Sequence, residues 1–104
     1  KITTFMQEVI DIVKNYYNIV LNEDSLDFGR FITHLKYFSQ RLFNNKPTKD
    51  TDFQLQRMIR DNYSKDYGCA EKIKDYIQQK YNLNLTGEEM MFLTIHLRRI
   101  STNK

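Results

Sequence analysis

The 104-residue sequence has no tryptophan, one proline, one cysteine and three glycines. All-β folds need many turns, and turns favour glycine and proline, so this scarcity argues against a sheet protein. The single cysteine, Cys69, excludes an internal disulfide and is expected to be a small buried hydrophobic residue without a functional role.

Long apolar runs are also missing. No stretch approaches the ~20 apolar residues that a membrane span requires, and Gln7, Glu8 and Asp11 interrupt the first apolar stretch, so no signal peptide is expected. A cytoplasmic location follows as the expectation. Because the chain begins at Lys1 rather than methionine, it is expected to be a fragment of something larger.

Charge of one sign does not dominate. The sequence has 16 lysine and arginine residues and 13 acidic residues, which gives a formal net charge of +3 and a pI of about 9.0. A nucleic-acid interface usually concentrates its basic residues on one face, whereas the two signs are interspersed here. A nucleic-acid-binding helical module is kept as an alternative only because of the pI.

What the sequence does have is apolar residues at a period of 3.6, the pattern of amphipathic helices. It predicts one all-α domain over residues 1–104, a compact five-helix bundle. The predicted helices cover 2–17, about 26–43, 53 to about 63, a segment from a break near 63–65 to 81, and 86 to about 100. Asp24 or Ser25 should cap the second helix, and Thr86 with Glu89 forms a capping box for the fifth. Gly29 is expected to permit a close helix contact.

The fifth helix is apolar nearly all round. Its core stripe leaves Met91, Phe92 and Ile95 on other faces, which implies burial on a second side. A homodimer is therefore predicted, with the second and fifth helices at or beside the interface.

Few residues could carry chemistry. No HExxH sequence, cysteine pair or glycine-rich phosphate loop is present, so no metal, cofactor or enzymatic activity is expected. Glu88 and Glu89 lie in the first turn of a helix, where the macrodipole explains acidic residues.

The two histidines remain, each with an arginine one turn away. Arg30 precedes His34 by four positions, and Arg99 follows His96 by three, so each pair shares a helix face. Both can be ordinary histidines of a purely structural dimerisation module. Alternatively, each imidazole is a nucleophile whose neutral form is abundant near neutral pH. Phosphorylation would then bring about two negative charges for Arg30, Arg41 and Arg99 to pair with.

Two segments resemble a known family. Residues 24–42, DSLDFGRFITHLKYFSQRL, resemble the first histidine signature of the phosphotransferase-system regulation domain (PRD), and residues 88–100, EEMMFLTIHLRRI, resemble the second. Such domains occur, usually in tandem, in bacterial transcriptional antiterminators of the BglG/LicT type and in related activators. The resemblance implies a dimerising five-helix domain with His34 and His96 as phosphoacceptors. Thr33 stands where the first copy typically has Asp, so the chain resembles the second copy.

The resemblance also implies partners and a mechanism. The histidine-phosphorylated carrier protein of the phosphotransferase system, and also the sugar-specific permease component, would donate the phosphoryl groups. Phosphorylation would reset the dimer so that a separate RNA-binding domain of the parent protein can act, while this fragment itself binds no nucleic acid or membrane. From the helix pattern we further expect His34 and His96 to be close in space and to share Arg30, Arg41 and Arg99.

Overall fold

The computed structural model describes residues 2–46 and 48–102, and these form five helices and no strand. The helices are α1 (Ile2–Tyr17), α2 (Leu26–Phe43), α3 (Phe53–Asn62), α4 (Ser64–Tyr81) and α5 (Gly87–Thr102). The predicted all-α architecture is confirmed, with α5 continuing beyond Ile100 to Thr102. Within the described ranges, no helix has both the length and the apolar character to cross a membrane.

The helix starts follow local side-chain chemistry. Of the two candidate caps for α2, Ser25 accepts a 3.0 Å hydrogen bond from the Phe28 N–H, and Asp52 caps α3 in the same way. At α5 the Glu89 N–H donates to Thr86 Oγ1 at 3.2 Å, and the Thr86 N–H donates to Glu89 Oε1 at 2.9 Å. The reciprocal capping box predicted from the sequence is therefore present.

The helix ends use asparagine and a shared residue. Asn18, Asn45 and Asn82 have positive φ values of 54°, 57° and 56°, and they lie just beyond α1, α2 and α4. Tyr63 alone separates α3 from α4, as the predicted break required. No loop intervenes there, and the two helices join directly at Tyr63.

The core lies where α5 packs against α2 and α4 and where α1 covers α2 and α4. Phe5 is its aromatic centre, fully buried, with ring centroids 5.4 Å from Phe43 and 5.9 Å from Tyr81. Burying one such side chain contributes about 1.5–3 kcal/mol. Cys69 is fully buried on α4, as expected for a small hydrophobic residue.

One packing expectation is wrong. A Cβ built on Gly29 would meet no atom within 4 Å, so Gly29 is not at a close helix contact. The close approach occurs at Gly68, where a Cβ would meet the hydroxyl of Tyr16.

The burial expected on a second side of α5 is present in part, and α3 supplies it. Met91 does not need a partner subunit: it is only 4% exposed and shares a small cavity with Phe53 and Gln56 of α3. Ile95 is half-buried, whereas Phe92 is 47% exposed. The sequence could not show that α3 folds back over this side of α5. Of the three, only Phe92 is exposed.

Candidate functional site

The two histidines meet across the packed helices α2 and α5. Their ring centroids lie 4.4 Å apart with the rings inclined by 31°. The expectation that His34 and His96 are close in space is therefore confirmed, and one site contains both titratable imidazoles.

The buried stripes of the two helices explain this juxtaposition. Phe31 and Leu35 on α2 are almost fully buried, and His34 lies between them in sequence at the edge of that stripe. On α5, Leu97 is fully buried and His96 precedes it directly. As each helix buries its stripe, His34 stays exposed and His96 becomes half-buried.

The histidines open onto a cavity of about 520 Å³. It is lined by two guanidinium side chains, one carboxylate, one threonine, the two imidazoles and an apolar wall: Arg41, Arg99, Glu89, Thr48, His34, His96, Phe31, Leu35, Phe38, Phe92, Leu93 and Ile95. The cavity thus combines a pair of imidazoles with two guanidinium groups, one carboxylate and apolar packing.

The predicted arginines divide into two groups. Arg41 and Arg99 line the histidine cavity. Arg30 is exposed and is not among the cavity-lining residues, and its guanidinium lies 4.0 Å from the Asp27 carboxylate. Arg30 thus lies outside the cavity that Arg41 and Arg99 line, and the sharing of one phosphate-pairing patch by all three arginines stays a prediction.

Electrostatics keep His96 neutral. Burial, the charge that His34 carries when protonated, and the Arg99 guanidinium together lower the pKa of His96 from 6.5 to about 4, against the opposing effect of Asp27. At neutral pH the His96 ring is therefore uncharged and holds an unprotonated nitrogen. Such a nitrogen can act as a nucleophile.

Sequence reasoning missed what Glu88 and Glu89 do. Both are buried, at 7% and 2% exposure, and they hold the segment before α3 rather than only the α5 dipole. Glu89 Oε2 accepts from the Thr48 N–H at 3.2 Å, and Glu88 Oε1 accepts from the Thr51 hydroxyl at 3.2 Å. The only signal in the sequence was the adjacent pair of acidic residues. The hydrogen bonds themselves could not be predicted, because their donors and acceptors are far apart in the chain.

Cys69 is not among the residues that line the histidine cavity. Burial raises the pKa of its thiol to about 12, with a further contribution from the charge of Asp66. At neutral pH the thiol is therefore protonated and a poor nucleophile. Within residues 2–46 and 48–102, no three or more His, Cys, Asp or Glu side chains are grouped to hold a metal ion.

Comparison with known proteins gives a consistent set of relatives. The family model described as "PRD domain" matches residues 7–100. Over 99 residues, 95% of the chain, the sequence is 43% identical to 36% of the transcription antiterminator LicT of Bacillus subtilis (strain 168). Over 100 residues, 96% of the chain, it is 44% identical to 35% of the beta-glucoside operon antiterminator of Dickeya chrysanthemi.

A more distant relative is the PtsGHI operon antiterminator of Bacillus subtilis (strain 168), 26% identical over 95% of the chain and 34% of that protein. The chain thus spans about a third of the length of the curated relatives it matches. Residues 7–100, which include both histidines, carry the family match.

Proposed function

The chain belongs to the PRD domain family, and we propose that it regulates a sugar-responsive transcription antiterminator by accepting phosphoryl groups on His34 and His96. The observation that carries the proposal is the 4.4 Å approach of these two rings at one cavity. Its support is chemical, since a nucleophile pair beside fixed cations suits an incoming phosphoryl group.

The cavity supplies the two things that a phosphorylated imidazole needs. The neutral His96 ring has an unprotonated nitrogen at pH 7, because burial holds its pKa at about 4. Arg41 and Arg99 line the same cavity and can form charge-assisted hydrogen bonds with phosphoryl oxygens. Arg30, at the exposed edge of α2, is a further candidate for pairing if its contact with Asp27 yields.

The donor would be the histidine-phosphorylated carrier protein of the phosphotransferase system, with the sugar-specific permease component as a second donor. His34 is exposed, so a protein donor can reach it without opening the bundle. In this proposal the chain is a cytoplasmic substrate of phosphotransfer and not an enzyme.

The parent protein would be a larger regulator in which this chain is the second of two PRD copies, as Thr33 before His34 suggests. A separate domain of that parent would bind RNA, and this chain would bind none. The chain would form a homodimer whose geometry changes on phosphorylation. Phe92 supports this arrangement, since it is 47% exposed and lines the histidine cavity.

The test is incubation with phosphoenolpyruvate, the general phosphotransferase enzyme and the carrier protein, followed by intact mass measurement in neutral buffer. We expect up to two acid-labile phosphates, with the one on His34 lost in His34→Ala and the one on His96 lost in His96→Ala. An Arg60→Gln variant on α3 is a control that should still take up both phosphates, because it removes an exposed side chain that does not line the histidine cavity.

Three other results would decide against the proposal. A domain that takes up no phosphate, although a full-length antiterminator does, refutes the assignment of the acceptors. Dimerisation without any phosphate uptake supports a structural module instead. A salt-dependent shift of RNA or DNA by the isolated chain supports the nucleic-acid alternative.

A further inference from the structure

We propose that His34 and His96 are phosphorylated in order and not independently. His34 takes the first phosphoryl group, and that group then slows the phosphorylation of His96. This inference rests on the proposed function for its biological donor. Its physical basis is the spacing of the rings and the charge of the cavity.

The spacing couples the two positions. With ring centroids 4.4 Å apart, groups attached to both rings lie within about one Debye length, ~8–10 Å at physiological ionic strength. Solvent ions therefore screen the two added charges from each other only weakly. The half-buried position of His96 weakens the screening further.

The charges lining the cavity suit one phosphoryl group and not two. Arg41 and Arg99 contribute two positive charges and Glu89 one negative charge. Beside the cavity, Arg30 and Asp27 offset each other at 4.0 Å. A phosphoryl group brings about −1.5 to −2 charges at pH 7. The lining therefore changes from a net charge of about +1 to about −0.5 to −1 with the first group, and to about −2 to −3 with the second.

Access sets the order. His34 is exposed, while His96 is half-buried among the apolar residues of α2 and α5. A donor therefore meets the His34 nitrogen first.

The transfer step balances without a further reagent. The unprotonated nitrogen of the His34 ring attacks phosphorus, and the P–N bond of the donor breaks, its electron pair leaving with the donor nitrogen. The proton on the other His34 nitrogen is released, and the donor nitrogen takes up one proton.

The test uses phosphoramidate, a small phosphoryl donor that needs no partner protein. The unaltered chain is incubated with it in neutral buffer, intact mass follows the number of phosphates, and fragmentation locates them. The first phosphate is expected on His34. The second, on His96, should form at least about ten-fold more slowly than the phosphate on His96 in His34→Asn.

A matched pair of variants isolates charge. His34→Asn and His34→Asp have nearly the same shape and differ by one negative charge. Phosphorylation of His96 should be roughly five-fold slower in His34→Asp, and the difference should shrink as salt is added. The same chain unfolded in urea should lose the order, because its two histidines are then far apart.

Equal rates at His96 in the Asp and Asn variants would overturn the inference. So would simultaneous labelling of both histidines in the folded chain, or a folded chain in which His34 does not react first. Labelling in the predicted order by phosphoramidate, but none by the carrier protein, would sustain this inference and refute the proposed function. Uptake of two phosphates from the carrier protein at equal rates would do the reverse.

Discussion

The Tyr17 hydroxyl donates a 2.6 Å hydrogen bond to Oδ1 of Asp66 and thereby ties α1 to α4. Asp66 is only 2% exposed, and it also accepts a 3.3 Å hydrogen bond from the Ser101 hydroxyl. Arg98 lies 3.9 Å away. Three helices therefore converge on one buried carboxylate, which depends on these groups to replace water.

Replacing Tyr17 with phenylalanine should destabilise the bundle. The change removes the shortest hydrogen bond to a buried carboxylate, and we expect the free energy of unfolding at pH 7 to fall by about 1.5–3 kcal/mol. Urea denaturation measures it. Tyr16→Phe is the control, because that hydroxyl donates at the surface to the Lys65 carbonyl, and its loss should cost under ~1 kcal/mol. Equal losses in the two variants would refute the role given to Asp66.

Stability should fall as the pH drops below neutrality because of His96. Its pKa is 6.5 in an unfolded chain and about 4 in the fold, where burial, His34 and Arg99 lower it against the effect of Asp27. Above pH 6.5 both states carry a neutral ring. Below it the unfolded chain binds a proton that the folded chain does not bind until about pH 4, so acid favours unfolding.

The size of this effect is measurable. Between about pH 7 and pH 5 the free energy of unfolding should decrease by about 2 kcal/mol through His96 alone. Urea titrations of the unaltered chain and of His96→Gln at both pH values give this contribution by difference, since the other groups titrate in both. An NMR titration of the His96 ring with a midpoint near 6.5 in the folded chain would contradict the prediction.

Gly29→Ala should stabilise the protein. Gly29 lies inside α2, where alanine is favoured over glycine by about 1 kcal/mol. A Cβ there meets nothing within 4 Å, so no clash offsets the gain. Gly68→Ala on α4 is the matched comparison, because its Cβ would meet the Tyr16 hydroxyl. In thermal unfolding, Gly29→Ala should have a higher Tm than the unaltered chain, and Gly68→Ala should have a lower Tm than Gly29→Ala. The reverse order of the two variants would contradict the prediction.

The proposed dimer should depend on Phe92 rather than on α3. In sedimentation velocity we expect the Phe92→Ser dimer to dissociate at a higher protein concentration than the dimer of the unaltered chain, because an apolar contact is lost. Phe53→Ser is the control, since Phe53 is 61% exposed but lies on α3 away from the histidine cavity. A monomeric unaltered chain at high micromolar concentration, or a larger effect of Phe53→Ser, would refute the assignment of the interface.

Local patterns predicted the helices well because the determining interactions lie within a few residues. The Ser25 cap and the Thr86–Glu89 capping box are examples, each joining positions three apart or fewer. The proximity of His34 and His96 followed from their places beside buried stripes. It needed only that the two stripes pack together.

The errors arose where distant segments meet. The cover that α3 gives Met91 and the bonds from Glu89 to the segment before α3 depend on how the chain folds back. Gly29 illustrates the converse. A helical glycine marks close packing only when a neighbouring side chain occupies the place of its missing Cβ. Gly29 has no such neighbour, whereas Gly68 has the Tyr16 hydroxyl.

The asparagines that end α1, α2 and α4 bear on the unfolded chain. Asn18, Asn45 and Asn82 take the left-handed conformation for which glycine is the usual residue. Glycine would relieve the strain of that conformation, but it would also multiply the backbone states open to the chain before folding. By using asparagine, the sequence encodes three helix ends while keeping its denatured ensemble narrower. The scarcity of glycine thus reduces the backbone conformational entropy that the chain loses on folding.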